Sequence, residues 1–136
     1  NDFTAIEQKK ETLEHRDYVQ EMQVETSKDG YQFTFVIADI AGYEGENSIN
    51  QTLYHVQAEN LEMAAALYQR ENERQLDFGH MKQIAADMTG QEIHPLLLEL
   101  GHRPGISKSI PVMMESDGAK YILREMIKAA YGRESL

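Results

Sequence analysis

Asp39, Glu44 and Glu46, together with Tyr43, fall inside the fourteen-residue stretch DIAGYEGENSINQT, which contains no Lys or Arg. Carboxylates grouped in this way can do acid–base chemistry when their environments push their proton affinities apart. They can also present negative charge to a cation. The stretch joins two segments that read as strands, and it is longer than the usual loop of about two to five residues in a hairpin. Gly42 and Gly45 suit turn geometry, and nothing in the stretch holds the acids against one another. Charge presentation is therefore the reading adopted, with no catalytic residue assigned.

A second group lies in GHRPGISKS, Gly101 to Ser109, where His102, Arg103, Lys108 and Ser109 could cradle an anion. The spacing is not that of a phosphate-binding P-loop, because Ile106 and Ser107 separate Gly105 from Lys108. Ser107, Lys108 and Ser109 share this short loop with His102 but have nothing to orient a base, and no G-x-S-x-G elbow occurs. His80, His94 and His102, with Asp87, Glu92 and Glu99, are metal-ligating types, yet no histidine pair has the i, i+4 spacing that would place two imidazoles on one helical face. Neither a metal site nor a cofactor is expected. An enzyme or ligand-binding domain is the alternative, its site lying between loop 39–52 and loop 101–109 and using Tyr43, His55, His102 and Arg103.

Charge is distributed unevenly over the 136 residues, whose net charge is −10. No Lys or Arg falls between Lys28 and Arg70, an interval that holds Asp29, Asp39, Glu44, Glu46, Glu59 and Glu62. From Gly101 onward the balance reverses, with six bases against four acids. Such a first half repels the nucleic-acid backbone and attracts a basic protein. Zero cysteines exclude disulfides and thiolate chemistry. No apolar run approaches the ~18 residues of a membrane span, and the start of the sequence lacks a signal-peptide pattern, so a soluble cytoplasmic protein is expected.

The elements that position these residues follow from hydrophobic period. Phe3, Ile6, Lys10 and Leu13 have helical spacing, giving a short helix or a frayed arm over 1–16. Tyr18, Gln20, Met22 and Val24 then alternate, SKDG supplies a turn closed by Gly30, and Tyr31, Phe33, Phe35 and Ile37 alternate again. Tyr54, Val56 and Ala58 mark a third strand. A helix begins after Asn60 as N-cap and presents Leu61, Ala64, Ala65, Tyr68 and Asn72 on one face. Beyond it, DFGHMKQIAADMTG reads as helix, PLLLEL as a second helix with Pro95 at its first position, and AKYILREMIKAAYG as a third, started by Ser116 or Asp117 and ended by Gly132. ISKSIPVMM is strand-like, with Pro111 confining it to an edge or an irregular segment.

Residues 81–101 have the helix, Gly-containing turn and helix order of a helix-turn-helix, but the second helix offers a proline and a leucine run in place of groups that read bases. Direct nucleic-acid binding is not expected from it, although a nucleic-acid-associated regulator using the basic C-terminal third is a further alternative. DGYQFTFVIADIAG followed by ENLEMAAALYQ resembles, over about a third of the chain, the strand-turn-strand and helix of the partial RNase-H-like fold of HicB antitoxins. The proline-containing segment that follows the second strand in that family is absent, and an extra strand-like stretch precedes the helix.

The expected fold is one α+β domain over 1–136, with a three-stranded antiparallel meander over 18–58 packed against helices and a mainly helical remainder over 60–136. The expected function is a non-enzymatic regulatory or inhibitory domain. Asp39, Tyr43, Glu44, Glu46, Glu59 and Glu62 would meet the basic, nucleic-acid-binding surface of a partner protein, and a strand edge could serve for self-association.

Overall fold

The computed structural model describes residues 15–39 and 50–134. The expected N-terminal segment of Phe3, Ile6, Lys10 and Leu13 lies outside the described residues. The fold is mixed α+β: among the described residues seven strands form one sheet, and three helices cover one of its faces. The strands are β1 (Arg16–Ser27), β2 (Gly30–Asp39), β3 (Asn50–Ala58), β4 (Gln75–Asp77), β5 (Gln83–Asp87), β6 (Pro111–Met114) and β7 (Ala119–Ile122). The helices are α1 (Leu61–Asn72), α2 (Gly90–His102) and α3 (Leu123–Glu134). The sheet order is β3-β2-β1-β5-β6-β7, and β4 pairs with the start of β1.

The expected meander is present, but it is the outer part of this larger sheet. β1 pairs antiparallel with β2 along one side and parallel with β4 and then β5 along the other. The strand face expected from even spacing is broken by a bulge. Val19 lies opposite Ile37 and Glu21 opposite Val36, so Gln20 is the extra residue. Val19 thereby joins Met22 and Val24 in the core, where Val19 and Met22 are fully buried, and Tyr18 and Gln20 leave it. β2 and β3 pair in unbroken register, and Tyr31, Phe33, Phe35, Ile37, Val56 and Ala58 are all buried on the helix-covered face, while Val36 is buried on the other. Full burial of Phe33 and Phe35 is worth about 1.5–3 kcal/mol each in apolar transfer.

In the β1–β2 turn Gly30 has the positive φ expected of it, 155°. Asp29 takes the left-handed conformation, φ 65°. Gly30 is required by close approach, since a Cβ there would stand 2.4 Å from the Ala58 carbonyl oxygen and 2.7 Å from the Glu59 Cα.

Over 60–136 the three helices alternate with four strands, β4 to β7, which complete the sheet. DFGHMKQIAADMTG holds β4's last residue and all of β5, a strand enclosed between β1 and β6, so residues 81–101 do not form a helix-turn-helix. The first helix of the expected pair is replaced by Ile84 and Ala86 facing the core in strand alternation. β5, α2 and β6 form a parallel strand-helix-strand unit, which needs a crossover of the kind α2 provides. α2 starts five residues earlier than the proline rule suggests. Thr89 and Glu92 form a capping box, with Glu92 N–H donating to Thr89 Oγ1 at 3.1 Å and Thr89 N–H donating to Glu92 Oε1 at 2.9 Å. Pro95 sits inside the helix on its exposed side. Gly101 does not end α2; it admits the Tyr131 ring, which would stand 2.5 Å from a Cβ at that position.

β6 is an interior strand paired with both β5 and β7, and Pro111 is its first residue, where a missing N–H is tolerated. AKYI, expected to open the last helix, is β7. Leu123 and Arg124 extend the connection by donating backbone N–H groups to Ile110 and Lys108 carbonyls at 3.0 and 2.8 Å. Asp117 therefore works in the β6–β7 turn, accepting from Ala119 N–H at 2.9 Å and from the Tyr121 hydroxyl at 2.8 Å, and it caps no helix. α3 passes through Gly132 to Glu134.

Side chains from other elements tie the helical layer down. Asn60 caps α1 as expected, accepting from Met63 N–H at 2.8 Å. Glu99, from α2, supplies a second cap: its two oxygens accept from Leu61 and Glu62 N–H, each at 2.8 Å. The Tyr31 hydroxyl donates to the Glu92 carbonyl at 2.7 Å, Tyr54 to Glu71 at 2.7 Å and Tyr131 to the Leu98 carbonyl at 2.6 Å. Tyr68 donates to Asp17, which also receives Arg74 Nε at 2.6 Å.

Two outcomes follow from these ties. Glu99→Ala should lower unfolding free energy by about 1.5 kcal/mol in urea titration, since it leaves the part-buried Leu61 N–H and the exposed Glu62 N–H without a charged acceptor. Glu99→Gln, with one acceptor oxygen, should recover no more than about half of that. Burial, and then the neighbouring Glu71 carboxylate, push the Tyr54 hydroxyl up from its ordinary value near 10 to about 12. The unfolded chain thus loses this proton first. The stability involved is fully present below pH 10 and is lost as pH rises towards 12, so Tyr54→Phe should flatten the alkaline limb of a stability–pH profile.

Candidate partner-binding face

The helices cover one face of the sheet, and the other carries the alternate residues of the strands. The Gln20 bulge decides which residues of β1 these are: after it, Glu21, Gln23 and Glu25 point away from the core. Register then builds rows across the strands. Ala85, Gln23, Thr34 and His55 form one row; Gln83, Glu21, Val36 and Leu53 form a second; Asp87, Glu25, Gln32 and Gln57 form a third. Hydrogen bonds fix much of this surface. Glu21 accepts from Gln23 Nε2 at 3.1 Å and from Gln83, Thr34 Oγ1 and His55 Nδ1 are 2.8 Å apart, and Gln51 donates to Gln20 at 2.8 Å.

The third row ends in a shallow concavity of about 160 Å³, lined by Gln23, Glu25, Gln32, Thr34, Asp87 and Glu115 among others. Glu25 and Asp87 are direct register partners on adjacent parallel strands. Glu115 is held alongside by its N–H, which donates to the Ala86 carbonyl at 2.9 Å. Like charges opposite one another on neighbouring strands repel. Among the described residues, none of these three carboxylates is in an ion pair. The three rows across β5, β1, β2 and β3 contain no Lys or Arg. The concavity is therefore a surface of negative potential that a cationic group would relieve.

Only some of the acids singled out in the sequence fall among the described residues. Tyr43, Glu44 and Glu46 lie outside the described residues. Asp39 ends β2 opposite Asn50, whereas Glu59 and Glu62 are exposed beyond the other end of β3. Eight residue steps separate Asn50 from Ala58, about 26 Å at ~3.3 Å per step. The missed residues are Glu25, Asp87 and Glu115. Asp87 lay in a segment read as helix, so its pairing with Glu25 had no local signal.

In the 101–109 loop the polar side chains are engaged by the loop and by the elements around it. Lys108 Nζ donates to the Arg103 and Ile106 carbonyls at 2.8 and 2.9 Å, and burial followed by the Arg124 guanidinium holds its ammonium below the ordinary lysine range. Arg103 lies over the Phe78 ring, 5.2 Å from its centroid, while His102 meets Tyr131 edge to face at 5.4 Å. Arg124 donates to Ser109 Oγ at 3.3 Å. His55 is on the open face of β3, four strand steps and about 19 Å from β6, so the structure does not bring it to this loop.

The residues of metal-ligating type are likewise used separately. Glu92 and Glu99 cap helices, and His80 stands against Tyr18 with ring centroids 5.7 Å apart. His94 bridges Glu134 at 2.7 Å and Arg133 at 3.1 Å. Among the described residues no three such side chains are grouped to hold a metal ion, and no helix is long and apolar enough to cross a membrane.

No curated protein and no solved structure matches the chain. A family model described as the spore germination protein N-terminal domain matches residues 9–129, nearly the whole sheet and helical layer described above. The match covers β1 through most of α3, and by it the chain belongs to the spore germination protein N-terminal domain family.

Proposed function

We propose that this domain is a non-enzymatic protein-binding module of a spore germination protein, and that its helix-free sheet face receives a basic segment of a regulatory partner. The observation that carries the reading is the row Asp87–Glu25–Gln32–Gln57 with Glu115 beside it. It combines facing carboxylates and adjacent amide side chains, with no Lys or Arg in the row itself; Lys120 stands on β7, two strands from Ala85. The net charge of −10 strengthens the long-range attraction, which mainly raises the rate of encounter, while the amides of Gln23 and Gln32 supply hydrogen bonds at short range. Asp39, Glu59 and Glu62 extend the negative potential at the two ends of the β2–β3 pair and are peripheral to the contact.

The reading concerns charge and shape and requires no reaction. A partner lysine or arginine entering the concavity would meet the Glu25, Asp87 and Glu115 carboxylates, all of them exposed. Each ion pair there is worth at most about 1 kcal/mol, so binding rests on several acting together.

Carbodiimide coupling in intact spores, which joins a carboxylate directly to a lysine in contact with it, tests the assignment. Cross-links should join partner lysines to Glu25, Asp87 or Glu115, and the combined Glu25→Gln, Asp87→Asn and Glu115→Gln substitutions should abolish them. Cross-links confined to carboxylates of α1, α2 or α3 would overturn it.

A further inference from the structure

Among the described residues the outer side of β3 is an unpaired sheet edge. Sheet edges of soluble proteins are normally kept short, charged, bulged or interrupted by proline, because their free N–H and C=O groups recruit other strands. β3 has none of these protections. It is nine residues long, pairs with β2 in unbroken register from Asp39↔Asn50 to Tyr31↔Ala58, and contains no Asp, Glu, Lys, Arg or Pro. Among the described residues nothing pairs with its other side. Asn50, Gln51, Thr52 and Leu53 are exposed in succession, Leu53 to 56%. The opposite end of the sheet differs: β7 has four residues and includes Lys120.

We infer that β3 pairs antiparallel with β3 of a second copy across a two-fold axis at Tyr54, joining two sheets into one. The occupant follows from charge. In a chain with 26% charged residues and a net charge of −10, most surfaces of one copy would repel the same surface of another, whereas this strand is neutral throughout. A two-fold axis at the middle residue pairs all nine positions. On the open face Gln51 meets the second copy's Gln57, and Leu53 meets its His55, so the exposed leucine is covered twice. On the helix-covered face Thr52 meets Val56, and Tyr54 meets its own symmetry mate. No cross-strand pair brings like charges together. The acidic concavities remain uncovered on the joined sheet, so this pairing stands independently of the proposed partner.

Sedimentation equilibrium tests the inference by design of charge at one register pair. The wild-type protein should show a concentration-dependent dimer that tightens as salt screens the repulsion between two acidic chains. Gln51→Lys with Gln57→Lys places lysines opposite lysines at two sites in the dimer and should weaken association at least about tenfold. Gln51→Glu with Gln57→Glu should do the same, and mixing the two variants should restore a dimer containing one chain of each. Unchanged far-ultraviolet circular dichroism confirms that both variants stay folded, since these side chains are exposed. A wild type that remains monomeric up to millimolar concentration, or a mixture that fails to pair, overturns the inference.

Discussion

Everything in this domain depends on the way β1 is shared. Twelve residues long, it is paired along one side with antiparallel β2 and along the other with parallel β4 and β5. It therefore joins a hairpin-built half of the sheet to a half built by strand-helix-strand connection. The bulge at Gln20 makes the two compatible. It turns Val19 inward before the bulge and Met22 and Val24 inward after it, while Glu21, Gln23 and Glu25 are turned out. Lys82 N–H donates to the Gln20 carbonyl at 2.8 Å, so the extra residue is also where the chain is led into β5. One unpaired residue thus sets both the core and the composition of the open face.

The helical layer is fastened by polar contacts from a distance rather than by apolar packing alone. α1 is short, and its N-terminal N–H groups are satisfied by Asn60 and by Glu99 of α2, so the capping of α1 depends on α2, which carries its own Thr89–Glu92 cap. Tyrosine hydroxyls on β2, β3 and α1 connect the sheet and the helices, and each ring also contributes to the core or packs against it. Tyr31, Tyr54 and Tyr68 are all pushed up in proton affinity, with burial the first cause in each. The layer holds its helices to one face, and among the described residues no helix lies on the other.

Sequence periodicity revealed the hairpin half of this structure and obscured the other half, for physical reasons. β2 and β3 are wet on one face, so polar and apolar residues alternate and the pattern is legible. β5 is enclosed by β1 and β6, and its residues Gln83, Ile84, Ala85, Ala86 and Asp87 include two alanines that suit a helix equally well. Tertiary pairing, not local preference, makes it a strand. In AKYIL the apolar spacing satisfies both a strand and a helix, and the pairing of β7 with β6 takes the first four residues. The Thr89-x-x-Glu92 capping box was present in the sequence as a start signal and outweighs the proline at position 95. The facing of Glu25 and Asp87 could not be read locally, because a parallel pairing of residues 62 positions apart leaves no trace in either segment.

The central claim, that the open face of the sheet is a receptor for basic protein segments, is most directly tested by locating where such a segment binds. Amide chemical shifts of the isotope-labelled protein can be followed at low salt as a decalysine peptide is added. The account predicts shift changes concentrated at Gln23, Glu25, Gln32, Thr34, Asp87 and Glu115, diminishing as salt is raised. Changes centred on the exposed faces of α1, α2 and α3, or spread evenly over all the acidic residues, would contradict it.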